Sequence, residues 1–232
     1  MTLAAQGAQS LSQRGWLSTC PEAFRNAVLG QAIWRLVKPG GALQHAGGEN
    51  GGLCGIARGM VELRWGQAPA DISGIHLAHA GFWAGYRPLI GGNARALTVT
   101  ARDEVLYALI PQIAMERLLA ETPLWWRHVA QLADIVGMIA GEAMADLLLH
   151  DSRRRALATL LRLVGCRHSD PPYDGPLELR ISQDDLAAMA NMTRNTMRDV
   201  LVPYNVAGDI DLSYRSIIVR RPAVLRQIVD DL

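Results

Sequence analysis

The sequence is short of cysteine, of aromatic residues and of net charge. Its 232 residues include three cysteines, Cys20, Cys54 and Cys166, with no C-x-x-C spacing among them. A dense disulfide scaffold and a four-ligand structural zinc site are therefore excluded. Aromatic residues make up 6% and the formal net charge is +1. A uniformly basic coat is ruled out, and any contact with nucleic acid has to come from a local patch. No cationic start followed by a long apolar run opens the sequence, so no secretory signal is expected. The most apolar stretch, Leu132 to Leu149, carries Asp134, Glu142 and Asp146, and three carboxylates make a membrane span expensive. The expectation is a cytoplasmic protein with no membrane partner. A Ser-His-Asp order, a Walker loop and a paired-carboxylate constellation are missing too, so no enzyme is expected.

What is present divides into four zones. Half of the residues are hydrophobic, as in ordinary globular proteins, and the length allows one large domain or two small ones. Residues 1 to about 38 read as a leader and a short helix, with Thr19 as its N-cap and Pro21 and Glu22 in the first turn. Residues 39 to 110 alternate short runs with glycines. Gly59-Met-Val-Glu-Leu-Arg-Trp65 and Ala96-Leu-Thr-Val-Thr-Ala101 alternate in polarity or carry β-branched residues, which predicts a β-sandwich or barrel.

The third zone is helical. From Trp125 the series Val129, Leu132, Val136, Ile139, Ala143 and Leu147 steps by three or four residues. Arg127, Gln131, Asp134, Glu142 and Asp146 occupy the other face. Gly137, Ala140, Gly141 and Ala145 are small enough for a second backbone to come close. A stripe of this length predicts a coiled-coil-like seam with another copy of the chain, with an intramolecular core helix as the alternative.

In the fourth zone Asp151 or Ser152 caps a helix over Arg153 to Val164, the Asp170–Pro176 segment breaks the pattern, and a short strand spans Leu177 to Ile181. Then comes SQDDLAAMANMTRNTMRDVL. Ser182 and Asp185 form a capping-box variant, Ala187 is small where two helices would cross, and Asn191 sits where the turn favours a left-handed residue. Thr193 caps a second helix that presents Arg194, Asn195, Arg198 and Asp199. This is helix-turn-helix spacing. Pro203 is expected to end or kink that helix early. Ile210 to Val219 reads as two strands around a turn near Tyr214 and Arg215, which makes the unit a winged helix-turn-helix.

LRISQDDLAAMANMTRNTMRDVL followed by GDIDLSYRSIIV resembles the C-terminal domain of the Crp/Fnr family of bacterial transcription regulators. The likeness extends upstream. LQHAGGENGGLCGIARGMVELRW is similar to the family's β-roll, HLAHAGFWAGYRPLIGGNARALTVTARDEV to its effector-pocket segment, and the helix from about Trp125 to His150 to its dimerisation helix. The resemblance implies an α+β chain: an N-terminal double-stranded β-helix (a β-roll or jelly roll) as sensor over 1–123, a dimerisation helix over 124–150, and a winged helix-turn-helix over 151–232. It implies a homodimeric regulator on a two-fold operator, with double-stranded DNA, a second copy and RNA polymerase as partners.

Arg194 suits guanine, Asn195 adenine, and Arg198 guanine or phosphate. Ser182, Gln183, Thr193 and Thr196 are phosphate candidates, helped by unpaired helix N–H groups. In the sensor, Arg95 matches the family's cyclic-phosphate position and Gly85 its preceding turn. Tyr86 stands where a ribose-binding acid is expected, Ala96 where a hydroxyl would be, and Ala140 and Gly141 where the base would be hydrogen-bonded. Without those groups cAMP is not the expected effector. No cofactor is predicted; haem or an unidentified small molecule stays open, because His45, His76, His79 and Tyr86 lie on or near the roll. Two rival readings are a cupin-like metal enzyme built on those histidines and a small-molecule-sensing module without DNA binding.

Overall fold

The computed structural model of the protein describes residues 2–48, 51–66, 74–169 and 177–231. By its packing the chain divides into two compact units, one ending at Gly137 and the other beginning at Met138.

The first unit opens with three helices, α1 (Leu3–Gln13), α2 (Gly15–Ser18) and α3 (Glu22–Gly30). The leader expected here is thus helical. Thr19 is not an N-cap: it closes α2 as its C-cap, its hydroxyl donating to the Trp16 carbonyl at 2.8 Å, and Pro21 stands at the N-cap of α3. The strands β1 (Ile33–Val37), β2 (Ala42–Gln44), β3 (Gly52–Arg58), β4 (Val61–Trp65), β5 (His76–Ala78) and β6 (Trp83–Ala84) follow. After a short helix α4 (Arg87–Gly91) come β7 (Leu97–Ala101), β8 (Val105–Pro111) and helix α5 (Gln112–Glu121). The strands form two four-stranded antiparallel sheets, in the orders β1-β8-β3-β6 and β2-β7-β4-β5. This is the β-roll.

Two cores share one sheet. On β3 and β8 successive side chains alternate between faces, as extended backbone requires. Cys54, Ile56, Val105 and Tyr107 face the roll interior with Val61, Leu63, Val99 and Ala101 of the other sheet. Leu53, Ala57, Leu106, Ala108 and Ile110 face the helices, where they meet Leu11, Trp16, Phe24, Met115 and Leu119. Strands buried on both faces carry no polar alternation, which explains the continuous run Gly52–Ala57. The edge strand β1 escapes sequence reading for the opposite reason. Its residues are exposed or half-buried, and pairing with β8 alone defines it.

Helix α6 (Trp126–Leu147) follows a single 3-10 turn, Pro123–Trp125, and the boundary between the units falls inside it. Its first half belongs to the helix-side core. Val129 and Leu132 are fully buried there, Trp125 and Val136 pack against it, and the Trp16 indole donates to the His128 carbonyl at 2.7 Å. Two residues expected at a seam between copies are therefore used within the chain. Of the expected seam residues Leu147 is exposed, and the other exposed apolar positions here are Trp126, Ile135, Met138, Met144 and Leu148. Asp146, expected on a solvated face, is buried at 4% exposure. There it bonds the Arg162 and Arg167 guanidiniums at 3.0 and 3.3 Å.

The second unit continues with α7 (Ser152–Leu163), β9 (Leu177–Leu179), α8 (Gln183–Met189), α9 (Arg194–Val206), β10 (Ile210–Ser213), β11 (Ser216–Val219) and α10 (Pro222–Asp230). The expected Asp170–Pro176 break lies outside the described residues. Among the described residues no helix is long and apolar enough to cross a membrane.

Candidate nucleic-acid interface

Each end of the helix-turn-helix is held by a side chain that the sequence makes suited to the task. Asp151 caps α7, accepting from the Arg154 amide at 2.8 Å. Ser182 caps α8 through the Asp185 amide at 3.0 Å, and Thr193 caps α9 through the Thr196 amide at 3.2 Å. Between them Asn191 adopts φ 49°, the left-handed turn conformation that Asn tolerates. The inner faces meet in a common core: Leu157, Leu160 and Leu161 of α7, Leu186 and Ala187 of α8, Met197, Leu201 and Tyr204 of α9, and Leu225 and Val229 of α10 are all buried. Arg155 ties the turn down, donating to the Ala190 carbonyl at 2.9 Å and to the Leu149 carbonyl at 2.6 Å.

Pro203 does not end α9. The helix runs on to Val206, and the Pro203 carbonyl still accepts from the Ala207 amide at 3.0 Å. Leu201 and Tyr204, buried on either side of it, anchor that turn by packing where one backbone bond is lost.

With the inner face committed, the outer face of α9 presents Arg194, Asn195, Arg198 and Asp199, all exposed. Thr196 is half-buried, its hydroxyl 2.9 Å from that of Thr193. Gln183 starts α8 beside the Ser182 cap, half-buried like it. The seven residues expected at DNA thus lie on two adjacent helix starts and one exposed helix face. Behind them stands the wing, a three-stranded sheet in the order β10-β11-β9, with Ile210 opposite Val219 and Ile217 opposite Leu179. Its turn puts Arg215 at φ 54° and leaves Tyr214 91% exposed. The sequence places the turn there, with an aromatic and a cation together at the hairpin tip.

The sensor candidates are placed less uniformly. Gly85 has φ 93°, and a Cβ there would stand 2.3 Å from the Gly52 carbonyl oxygen, so only glycine fits. Arg95 is 8% exposed, and its Nη2 donates to that same carbonyl at 2.8 Å. Among the described residues, Arg95 Nε is buried with no hydrogen-bond partner, as is Oε1 of Gln44, whose Nε2 donates to the Leu97 carbonyl at 3.1 Å. Gln44 escapes sequence reading because nothing in a three-residue strand marks one amide as inward. Tyr86 is half-buried against the helix-side core, and that burial raises its phenol above the usual value. Ala96 is half-buried; Ala140 and Gly141 are exposed on α6. His76 lies on β5 and His79 just beyond it. Among the described residues no three His, Cys, Asp or Glu side chains are grouped to hold a metal ion.

The described elements thus make a β-roll in the first unit and a winged helix-turn-helix in the second. Comparison with known proteins carries this further. Residues 154–228 match the family model of the Crp-like helix-turn-helix domain. Among solved structures, the chain is similar to a CRP/FNR-family transcriptional regulator of Thermus thermophilus, at 20% identity and a TM-score of 0.63 over 86% of this chain and 99% of that one. It is similar to the c-di-GMP-responsive global regulator CLP of Xanthomonas campestris, at 17% identity and a TM-score of 0.62 over 86% and 99%. A CooA mutant from Carboxydothermus hydrogenoformans matches at 15% identity and a TM-score of 0.63 over 88% and 90%. A search of curated protein sequences finds no match. The chain has the fold of the CRP/FNR transcriptional regulators and carries their Crp-like helix-turn-helix domain.

Proposed function

We propose that the protein is a sequence-specific transcriptional regulator, not an enzyme, which works in the cytoplasm as a homodimer on a two-fold operator and engages RNA polymerase there. The observation that carries this reading is the capped, exposed face of α9, from which Arg194, Asn195 and Arg198 project while Met197 and Leu201 hold the helix from behind. A guanidinium set against guanine O6 and N7 contributes about 1–3 kcal/mol of base discrimination. The N-termini of α8 and α9 supply amides for flanking phosphates.

The second copy docks on the outward face of α6, where Met138 (60% exposed), Met144 (66%) and Leu148 (73%) stand with Gly141 and Ala145. The small residues let backbones approach and the methionines fill the seam. The effector is a small molecule other than cAMP, bound in the roll near Arg95. Arg95 Nε and Gln44 Oε1, buried and without hydrogen-bond partners among the described residues, suit an acceptor and a donor from it, and Tyr86 offers a neutral phenol where cAMP would require an acid.

The test is selection of bound duplexes from a random pool, followed by titration of the selected operator with Arg194→Ala. Specific affinity is expected to drop at least tenfold, with the dimer intact by sedimentation. Unchanged operator affinity in that variant refutes the assignment.

A further inference from the structure

The reading face of α9 is electrostatically masked. Arg194 Nε lies 3.6 Å from Asp184 Oδ1 of α8. Arg198 turns Nε and Nη2 together onto one oxygen of Asp199, at 3.3 and 3.1 Å. Both exposed arginines of the recognition helix thus face a carboxylate of the same surface. Elsewhere in the winged unit Arg180, Arg220 and Arg221 are paired with Glu178, Asp211 and Asp209. From Met138 onward twelve arginines stand against thirteen carboxylates. A unit that binds duplex DNA through phosphates alone needs a surplus of positive charge, because neutralised phosphates supply the non-specific affinity. This one has none.

The two pairs do little to hold the fold. All four side chains are 58–69% exposed, and exposed pairs contribute little to stability. Among the described residues, Asp199 accepts hydrogen bonds from Arg198 alone and Asp184 has only the ion pair with Arg194, so neither carboxylate is a structural group. What they do is decide what the arginines can leave them for. An arginine that turns to a phosphate leaves a bare carboxylate close to a polyanion. An arginine that reads a base does not have to leave. The side-on edge of Arg198, Nε and Nη2, is bound to Asp199, while Nη1 and the second hydrogen of Nη2 point away from it. Those are the two donors that an end-on guanidinium presents to guanine O6 and N7.

Resting on the DNA-binding reading above, we infer that Asp184 and Asp199 are specificity-determining residues. They hold Arg194 and Arg198 in base-reading orientation and repel the duplex wherever it offers phosphate alone. Arg215, at the wing tip, is then the uncompensated cation of the reading surface: among the described residues it makes no ion pair. The wing thus anchors the backbone while α9 reads bases.

The experiment measures binding of the full-length protein to its selected operator and to a scrambled duplex of equal length, across a salt series, for the wild type, Asp184→Asn and Asp199→Asn. Each variant is expected to bind the scrambled duplex about fivefold more tightly, the worth of one exposed charge contact. Its salt slope steepens by about one, as one more phosphate is neutralised. Asp199→Asn also relaxes base preference at the position read by Arg198, and Asp199→Glu restores it, which a merely structural role would not do. Thermal unfolding of the variants stays at the wild-type midpoint. If the wild type selects an operator and the variants keep both its salt slope and its base preference, this inference is overturned and DNA reading stands. If the random pool yields no enriched sequence for the wild type, both readings fall together.

Discussion

Cys54 lies on β3 with its thiol in the roll interior, fully buried. Desolvation pushes it up to about 11, against a smaller lowering by the Arg95 and Arg35 charges. Cys20, under the N-terminal helices, is raised to about 11 by the same cause. A thiol whose folded pKa is raised contributes stability that is complete below about pH 9 and is lost as pH climbs from about 9 to about 11, because the unfolded chain ionises first. The urea midpoint is therefore expected to fall over that window, and Cys20→Ala with Cys54→Ala to flatten the fall. A midpoint independent of pH in the wild type would show the thiols to be solvated. At the same scale the sequence is legible wherever one side chain bonds its own neighbourhood. Ser182, Thr193 and Asp151 cap, and Asn191 turns left-handed, because each role is settled within three or four residues. Gln44 and Asp146 are not legible, since their burial depends on elements far along the chain.

At the scale of elements, α6 has a core face and an exposed apolar face that one apolar periodicity could not separate. The stripe from Trp125 to Leu147 is genuine, yet Val129 and Leu132 turn it into the core formed with Trp16 and Phe24. Leu132→Ala is accordingly expected to destabilise the protein by about 2–5 kcal/mol, the usual cost of a cavity at a fully buried leucine. Met144→Lys, on the exposed side, is expected to leave the unfolding midpoint unchanged and to weaken self-association. Equilibrium unfolding in urea and sedimentation at several concentrations separate the two, and the opposite assignment of effects would return the seam to the buried stripe. The strands show the same limit. β7 and β4 alternate and can be read from the sequence; among the described residues β1 pairs only with β8, and it shows no apolar alternation to read. Pro203 lies within α9 for a related reason, since packing of Leu201 and Tyr204 outweighs a local preference.

For the whole molecule, the proposed dimeric DNA binding makes a geometric demand. Two recognition helices read half-sites about 34 Å apart, one turn of the duplex. Inserting about five base pairs between the half-sites turns them to opposite faces of the duplex, and affinity is expected to fall at least tenfold in a mobility-shift titration. Affinity insensitive to that insertion would mean that one protomer binds alone. The near-neutral charge of the chain belongs here as well. It excludes a basic coat from the start, and the structure extends that exclusion to the winged unit itself, where carboxylates face the arginines that would otherwise have formed a patch.

The sequence alone determined the order of the parts: short strands between glycines, a long apolar helix, then two capped helices and a hairpin. Caps, turns and hydrophobic periods are local, so their information lies in consecutive residues. Only the tertiary structure decided which face of α6 the chain keeps for itself, that Asp146 is buried between arginines, and that Asp184 stands across the turn from Arg194. Those outcomes depend on which surfaces meet. Burial and charge pairing are set by neighbours in space, and chain order does not carry them.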